Sequence, residues 1–404
     1  MPAYRLIRAR RLQAAKMRDE KGAMSSGGVL AFDTSNYTTS AAIADLSGEI
    51  LADCRSLLKV REGERGLRQS HALFQHVENL PGLVRRAVSE SGIRRENICA
   101  VAVSERPRPV EGSYMPVFRA GVSVAESIAA ALRVPVYRYS HQEGHIAAVC
   151  GALDESVRTV SFHLSGGTGE ILATQGCRPV CVIGGIRDLS FGQLIDRAGV
   201  ALGLGFPAGA ALDRIVCRTV VPGSLKYSSR GNTKIGHPVT GPIHVEGAYA
   251  NLSGIETQIL REIGNLKKRK DRETVSGKIR SLDEDTLLSG KDGEEARRES
   301  ELSAEERRLA AELFCRMADA LLRLSVSALQ SAETDTIIFA GGVSASQFLR
   351  RELDARLKKQ GFRAVFGDPE MSSDNACGIA RLGVAEYLRT HRKELDEKSK
   401  RMTK

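Results

Sequence analysis

Nowhere in its 404 residues does the chain contain an apolar run approaching the roughly 20 that a membrane-crossing helix needs, which excludes an integral helical membrane protein. The eight cysteines (Cys54, Cys99, Cys150, Cys177, Cys181, Cys217, Cys315 and Cys377) include no C-x-x-C pair. Their scatter through apolar stretches fits a reducing cytoplasm rather than a zinc framework. Cys177 and Cys181 stand four apart around Pro179 and read as buried thiols on a strand or turn. No Walker lysine accompanies either strand-following glycine pair, Gly166-Gly167 or Gly341-Gly342, so a P-loop NTPase is excluded. The zincin signature H-E-x-x-H lacks its base. Its glutamate position in His141-Gln-Glu-Gly-His145 is Gln142, and Glu143 falls on roughly the opposite face of a helix from His141. Peptide hydrolysis is disfavoured.

What the chain does have is positive charge, a core-sized apolar fraction and two histidines at helical spacing. A hydrophobic content of 42% over this length predicts a soluble protein of two lobes. The formal net charge of +10 invites a nucleic-acid reading, but most of it sits in the tails. Residues 1–23 carry seven Lys or Arg against two acids (+5) and residues 391–404 carry six against three (+3), leaving the body near +2. Residues 1–26 read as a basic, disordered extension whose Tyr4–Leu12 segment has amphipathic character, and residues 389–404 as a charged tail.

Val29–Asp33, Ala41–Asp45 and Glu49–Asp53 read as strand, turn, strand, turn, strand. The same plan recurs at Thr159–Leu164, Glu170–Thr174 and Val180–Ile183, about 130 residues later. A duplicated domain is expected, with a first lobe over 27–155, a second over 156–388 and a ligand cleft between them; the C-terminal helix is expected to pack back on the first lobe. Helices are expected over 121–132, 141–153, 192–204 and 304–332, and further strands over 98–104, 134–137 and 335–340. Residues 265–303, with Lys267–Arg272 as a basic core, read as an exposed charged insertion.

His141 and His145, at i and i+4, lie one above the other on a helix and could grip one metal ion; the alternative is a surface pair. Ser165-Gly166-Gly167 and Gly341-Gly342 each follow an apolar strand, where absent side chains let backbone N–H groups approach phosphate or carboxylate oxygens. Asp196 and Asp213 are carboxylates in apolar helical text, either helix caps or acceptors for a nucleotide-like ligand. Asp374 precedes a small-residue helix and has the character of an N-cap.

Taken together, these stretches resemble the tRNA threonylcarbamoyladenosine transferase family, once labelled O-sialoglycoprotein endopeptidases, from about residue 28 to 388. The resemblance implies a duplicated actin and sugar-kinase-like α/β fold. It also implies one divalent metal ion, Fe2+ or Zn2+, on His141, His145 and Asp374. The substrate pocket it implies falls on Ser165, Gly166, Gly167, Asp196, Gly209, Asp213, Gly341, Gly342 and Ser346. The implied reaction moves a threonylcarbamoyl group from its adenylate to N6 of the adenosine beside the tRNA anticodon, in a complex with partner proteins in the cytoplasm.

The chain departs from that family on the substrate side. The first loop, E-T-S-C-D-E-T in the family, is Asp33-Thr-Ser-Asn-Tyr-Thr-Thr39, which loses acids at Tyr37 and Thr38. The histidine of S-G-G-H-T is Thr168, a G-P-G segment is Arg106–Gly112, and the asparagine of G-G-V-x-A-N is Ser346. A second reading follows from these losses: a diverged paralogue that binds metal and nucleotide in a regulatory or scaffold role.

Overall fold

The computed structural model describes residues 27–35, 37–60, 67–150, 157–176, 178–220, 226–227, 233–234, 238–275, 297–372 and 374–402. The expected N-terminal extension and Cys177 lie outside them.

The first lobe is built on strands β1 (Gly28–Asp33), β2 (Thr38–Asp45), β3 (Ile50–Leu57), β4 (Ile98–Arg106) and β5 (Val136–Ser140), in the order β3-β2-β1-β4-β5. β1, β2 and β3 pair antiparallel, whereas β4 and β5 join parallel to β1 through helices α1 (Gln69–Ser91) and α2 (Phe118–Leu132). Parallel neighbours need such crossovers because a hairpin cannot return the chain in the same direction. β1 is buried along its whole length because both of its faces are covered. Leu30 and Phe32 point into a core with Leu80 and Leu83 of α1 and Val122 and Ala125 of α2. Val29 and Ala31, on the opposite face, meet Ala376, Ile379 and Ala380 at the start of the C-terminal helix. Burying Phe32 completely is worth about 1.5–3 kcal/mol.

The second lobe repeats the plan. β6 (Arg158–Leu164), β7 (Gly169–Gln175) and β8 (Arg178–Ile186) form the antiparallel meander, with the preceding helix α3 (His141–Cys150) on one face and helices α4 (Phe191–Ala201) and α5 (Gly209–Thr219) on the other. A small hairpin, β9 (Lys226–Tyr227) with β10 (Thr233–Lys234), and the pair β11 (His244–Glu246) and β12 (Tyr249–Asn251) precede helix α6 (Ser253–Val275). Helix α7 (Ala304–Ser331), strand β13 (Thr336–Ala340), helix α8 (Gln347–Lys359) and strand β14 (Arg363–Phe366) complete the lobe before α9 (Cys377–Met402). The sheet runs β11-β12-β8-β7-β6-β13-β14, and its last five strands reproduce the order and directions of the first sheet. Two sheets of this order, each with parallel and antiparallel halves, establish the duplicated α/β architecture.

Helix α3 (His141–Cys150) and α9 lie against each other between the sheets. α9 covers β1, β2 and β4; α3, through Ile146 and Cys150, meets Leu172 and Ile338 of the second sheet. Ala102 and Val29 leave room for α9 to come so near that a β-carbon on Gly383 would lie 2.8 Å from each.

The charged stretch read as an exposed insertion from residue 265 begins instead as a continuation of α6, with Lys267–Arg272 helical and exposed. Residues 276–296 lie outside the described residues. α1 carries a proline, Pro81, and its pattern was not read as a helix from the sequence. No helix among the described residues is long and apolar enough to cross a membrane.

Candidate metal centre and glycine loops

α3 starts directly on the end of β5, and its entry is fixed by a capping box. Ser140 Oγ accepts from the Glu143 backbone N–H at 3.2 Å, and Glu143 Oε2 accepts from the Ser140 backbone N–H at 2.6 Å and from its hydroxyl at 2.7 Å. Glu143 is therefore spent on the helix terminus. Gln142, in the position a zincin base would hold, is buried and donates to Glu170 Oε2 of β7 at 2.7 Å. Neither side chain can serve as a hydrolytic base, as the spacing alone indicated.

One turn apart, His141 and His145 place their ring centroids 4.3 Å from each other. Asp374, on the segment leading into α9, comes to them. Its Oδ1 lies 3.5 Å from His141 Nε2 and 3.4 Å from His145 Nε2. One donor atom from each of the three residues falls within 4.8 Å of the others, a set with the spacing of metal ligands. Glycines make this convergence sterically feasible. A β-carbon on Gly144 would meet Ile379 Cδ1 at 2.8 Å, and one on Gly378 would overlap the Gly144 carbonyl oxygen and lie 2.7 Å from Ala148 N.

Asp33 was not singled out from the sequence, yet it holds the first histidine. Its Oδ2 lies 2.7 Å from His141 Nδ1, while Oδ1 accepts from Ser104 Oγ at 2.7 Å. A carboxylate on the far nitrogen is the usual partner of a metal-bound histidine: it fixes the ring and leaves Nε2 to face the ion. The only sequence signal was an acid closing an otherwise apolar, wholly buried strand.

The electrostatics agree with the geometry. Burial works to lower the His141 pKa, but the charge of Asp33, its hydrogen bond and the charge of Asp374 outweigh burial and hold it up at about 9. Burial and the neighbouring His141 push His145 down. Asp374 is depressed to about 2: burial would raise it, but the hydrogen bond from His145 and the histidine charges prevail. Two imidazoles and a carboxylate form a donor set that suits zinc or ferrous iron. His141 and Asp374 retain 15% and 19% of their side-chain exposure, so solvent reaches the cluster.

A third buried histidine, also missed from the sequence, stands beside the cluster. The ring of His163 lies 5.2 Å from that of His145, and burial followed by the charges of His145 and His141 drives its pKa well down. His163 lies on β6, immediately before the turn that begins with Leu164-Ser165.

The glycine loops continue from there. Ser165 Oγ accepts from the N–H groups of Gly167 and Thr168, and Gly166 O accepts from Ser190 Oγ at 2.7 Å, so the loop rests on the N-terminus of α4. A β-carbon on Gly192 would lie 2.6 Å from Gly166 Cα. Gly166 and Gly167 themselves face open space and are exposed. Gly341 has φ +92° and follows β13 next to β6, while Gly342 opens a short 3-10 turn through Ala345.

Asp196 lies on α4, and its Oδ1 accepts from Ala208 N at 2.8 Å, just before Gly209 opens α5; burial raises its pKa. Asp213 on α5 receives Ser346 Oγ, Gln347 N at 2.8 Å and Phe348 N at 3.2 Å. Asp213 thus shares the N-terminus of α8 with its cap Ser346, and both aspartates bridge elements of the second lobe. Asp196, Gly209, Asp213 and Ser346 form one connected framework behind the loops.

The repeated sheets, with the cluster held where α3 and α9 meet between them, define a two-lobed α/β protein built on a duplicated sheet. Its sequence carries the comparison further: a profile described as tRNA N6-adenosine threonylcarbamoyltransferase matches residues 59–381, most of the chain, and the chain belongs to that family. A tRNA N6-adenosine threonylcarbamoyltransferase of Syntrophomonas wolfei is 27% identical over 354 residues, covering 87% of this chain and 90% of the relative. Proteins of the same name from Aromatoleum aromaticum (25% identical over 358 residues, 88% of this chain and 90% of the relative) and Clostridium botulinum (26% over 370 residues, 91% and 95%) align equally broadly.

Proposed function

We propose that the chain transfers a threonylcarbamoyl group from threonylcarbamoyl-adenylate to N6 of the adenosine beside the tRNA anticodon, with a divalent ion at its centre. The observation that carries this reading is the convergence of His141, His145 and Asp374 at one end of the strand that leads into the Ser165–Thr168 loop. In the reaction, the N6 amine forms a bond to the carbamoyl carbon, the bond from that carbon to the phosphate oxygen breaks, AMP leaves and the amine loses a proton.

His141, His145 and Asp374 would hold the ion, and the ion would supply a Lewis acid for the carbamoyl oxygen. The remaining tasks fall to the chain. Asp33 keeps the His141 ring oriented. The open backbone at Gly166 and Gly167, lying on the N-terminus of α4, lets the adenylate phosphate approach closely, with the Gly166 N–H as its donor. Asp196, Gly209, Asp213, Gly341, Gly342 and Ser346 frame the place for the nucleoside, and tRNA and partner proteins would approach from outside the cleft.

A second reading, a regulatory or scaffold protein that binds metal and nucleotide, rests on the first loop. Thr38, where the family has an acid, is buried at the start of β2, and the next residue is tied by Thr39 Oγ1 to His76 Nδ1 at 2.8 Å. The test for both is complementation of a cell depleted of its own transferase, with tRNA nucleosides quantified by mass spectrometry. Modified adenosine is expected with the intact chain and not with H141A/H145A. No modification from folded, metal-loaded protein supplied with the organism's own partners would favour the second reading.

A further inference from the structure

His163 has a buried nitrogen that the protein does not satisfy. It stands on β6, where Phe162 and Leu164 point into the second-lobe core and His163 points to the other face, towards α3. Its Nδ1 lies 3.2 Å from Thr168 Oγ1, whereas Nε2 is buried without a hydrogen-bond partner. Buried polar atoms are almost always paired, so an orphan beside a candidate site points to a ligand.

The surrounding hydroxyls set the direction of that nitrogen. Ser165 Oγ already accepts from two backbone N–H groups, so its own proton faces Thr168, with Oγ1 3.0 Å away and the carbonyl oxygen at 3.4 Å. With Thr168 donating to His163 Nδ1, the ring proton of the neutral imidazole sits on Nε2. The backbone also packs closely on the ring. Gly341 has φ +92°, and a β-carbon there would lie 3.3 Å from His163 Cδ2 and 2.5 Å from Leu164 O. Thr168, on the glycine loop, and His163, five residues earlier, thus form one hydrogen-bonded unit.

We propose that His163 donates a hydrogen bond from Nε2 to a carbonyl or carboxylate oxygen of the ligand seated against His141, His145 and Asp374. This inference deepens the metal-centred reading above and rests on it. It makes His163 a ligand-binding residue, placed between the metal cluster and the glycine loop.

The test uses the full chain loaded with Co2+, with acetate as the oxygen ligand and the visible cobalt spectrum as readout. Acetate dissociation constants are measured for wild type, H163L and H163Q, together with Co2+ affinity. H163L is expected to bind Co2+ within about 3-fold of wild type and acetate about 10-fold more weakly, the effect of one lost hydrogen bond to a charged group. H163Q, whose amide reaches as far as Nε2, is expected to restore acetate binding to within about 3-fold. An acetate affinity unchanged in H163L, or not recovered in H163Q, overturns the role of His163 alone. So does a loss of Co2+ affinity of about 100-fold in H163L, which would make the ring an inner ligand. Failure of the wild-type protein to take up Co2+ would overturn the metal-centred reading and this inference together.

Discussion

Gly144 of α3 and Gly378 of α9 meet backbone to backbone, and the crossing of these two helices brings Asp374 to the histidines. A β-carbon on Gly378 would overlap the Gly144 carbonyl oxygen, and one on Gly144 would press on Ile379 at 2.8 Å. Gly378 lies only four positions after Asp374, so the spacing of the helices and that of the metal ligands are one property.

Gly378→Ala is therefore expected to act on stability and on the centre at once. Forcing an extra carbon into this contact should cost about 1–3 kcal/mol or more. It should also move Asp374 away from His141 and His145. Thermal melts and metal titration on the same sample check this; a stable variant with wild-type metal affinity would show that the crossing does not set the ligand distance.

Asp33→Asn keeps the size of the side chain and removes the charge facing His141 Nδ1. Metal affinity is expected to fall about 10- to 100-fold, the usual effect of losing a carboxylate behind a metal-bound histidine. A competition titration with a chelator measures it, and a folded variant of unchanged affinity would remove Asp33 from the centre.

Metal uptake should release protons. In the ion-free protein His141 is held at about 9 by Asp33 and Asp374 against its burial, whereas His145 is pushed down and Asp374 sits at about 2. At neutral pH, then, His141 alone of the three carries a proton that the ion must displace, and about one proton should leave per ion bound. Affinity should rise with pH up to about 9 and level off beyond it. Calorimetry in buffers of different ionisation enthalpy counts the protons; a count near zero at pH 7 would contradict this charge arrangement.

Away from the centre, Asp188 caps α6 through Leu252 N at 2.8 Å and Ser253 N at 3.0 Å, and accepts from Leu189 N at 2.7 Å. Burial favours a higher pKa, but these hydrogen bonds prevail and lower it to about 2. Because the folded-state value is depressed, the stabilisation is complete above the ordinary carboxylate range and is lost as pH falls from about 4 towards 2. Asp188→Ala should cost about 1–2 kcal/mol at neutral pH. Denaturant melts should show the gap between variant and wild type narrowing below pH 4; a gap that stays constant would deny the ionic character of the cap.

Much of this was legible in the sequence for physical reasons. The strand triplets at Val29–Asp53 and Thr159–Ile183 stand out because buried strands need apolar runs and the turns between them need glycine and polar residues. The histidine pair was visible because helical spacing is a local property. Asp33 and His163 were not, since what matters about each is a contact with residues 108 and 18 positions away, to His141 and His145, created only when both sheets have folded around α3. α1 was hidden by its internal Pro81. The helix through Lys267–Arg272 was hidden in what read as an exposed insertion, because charge density alone does not distinguish a solvated helix face from irregular backbone.

The order in which the chain emerges during synthesis gives the position of Asp374 a further meaning. Both histidines precede the second sheet, and the third donor arrives only after that sheet has been made. A truncated product ending before residue 374 would keep the pair and lack the carboxylate, so a filled centre would report that both sheets had been made and that α9 had docked between them.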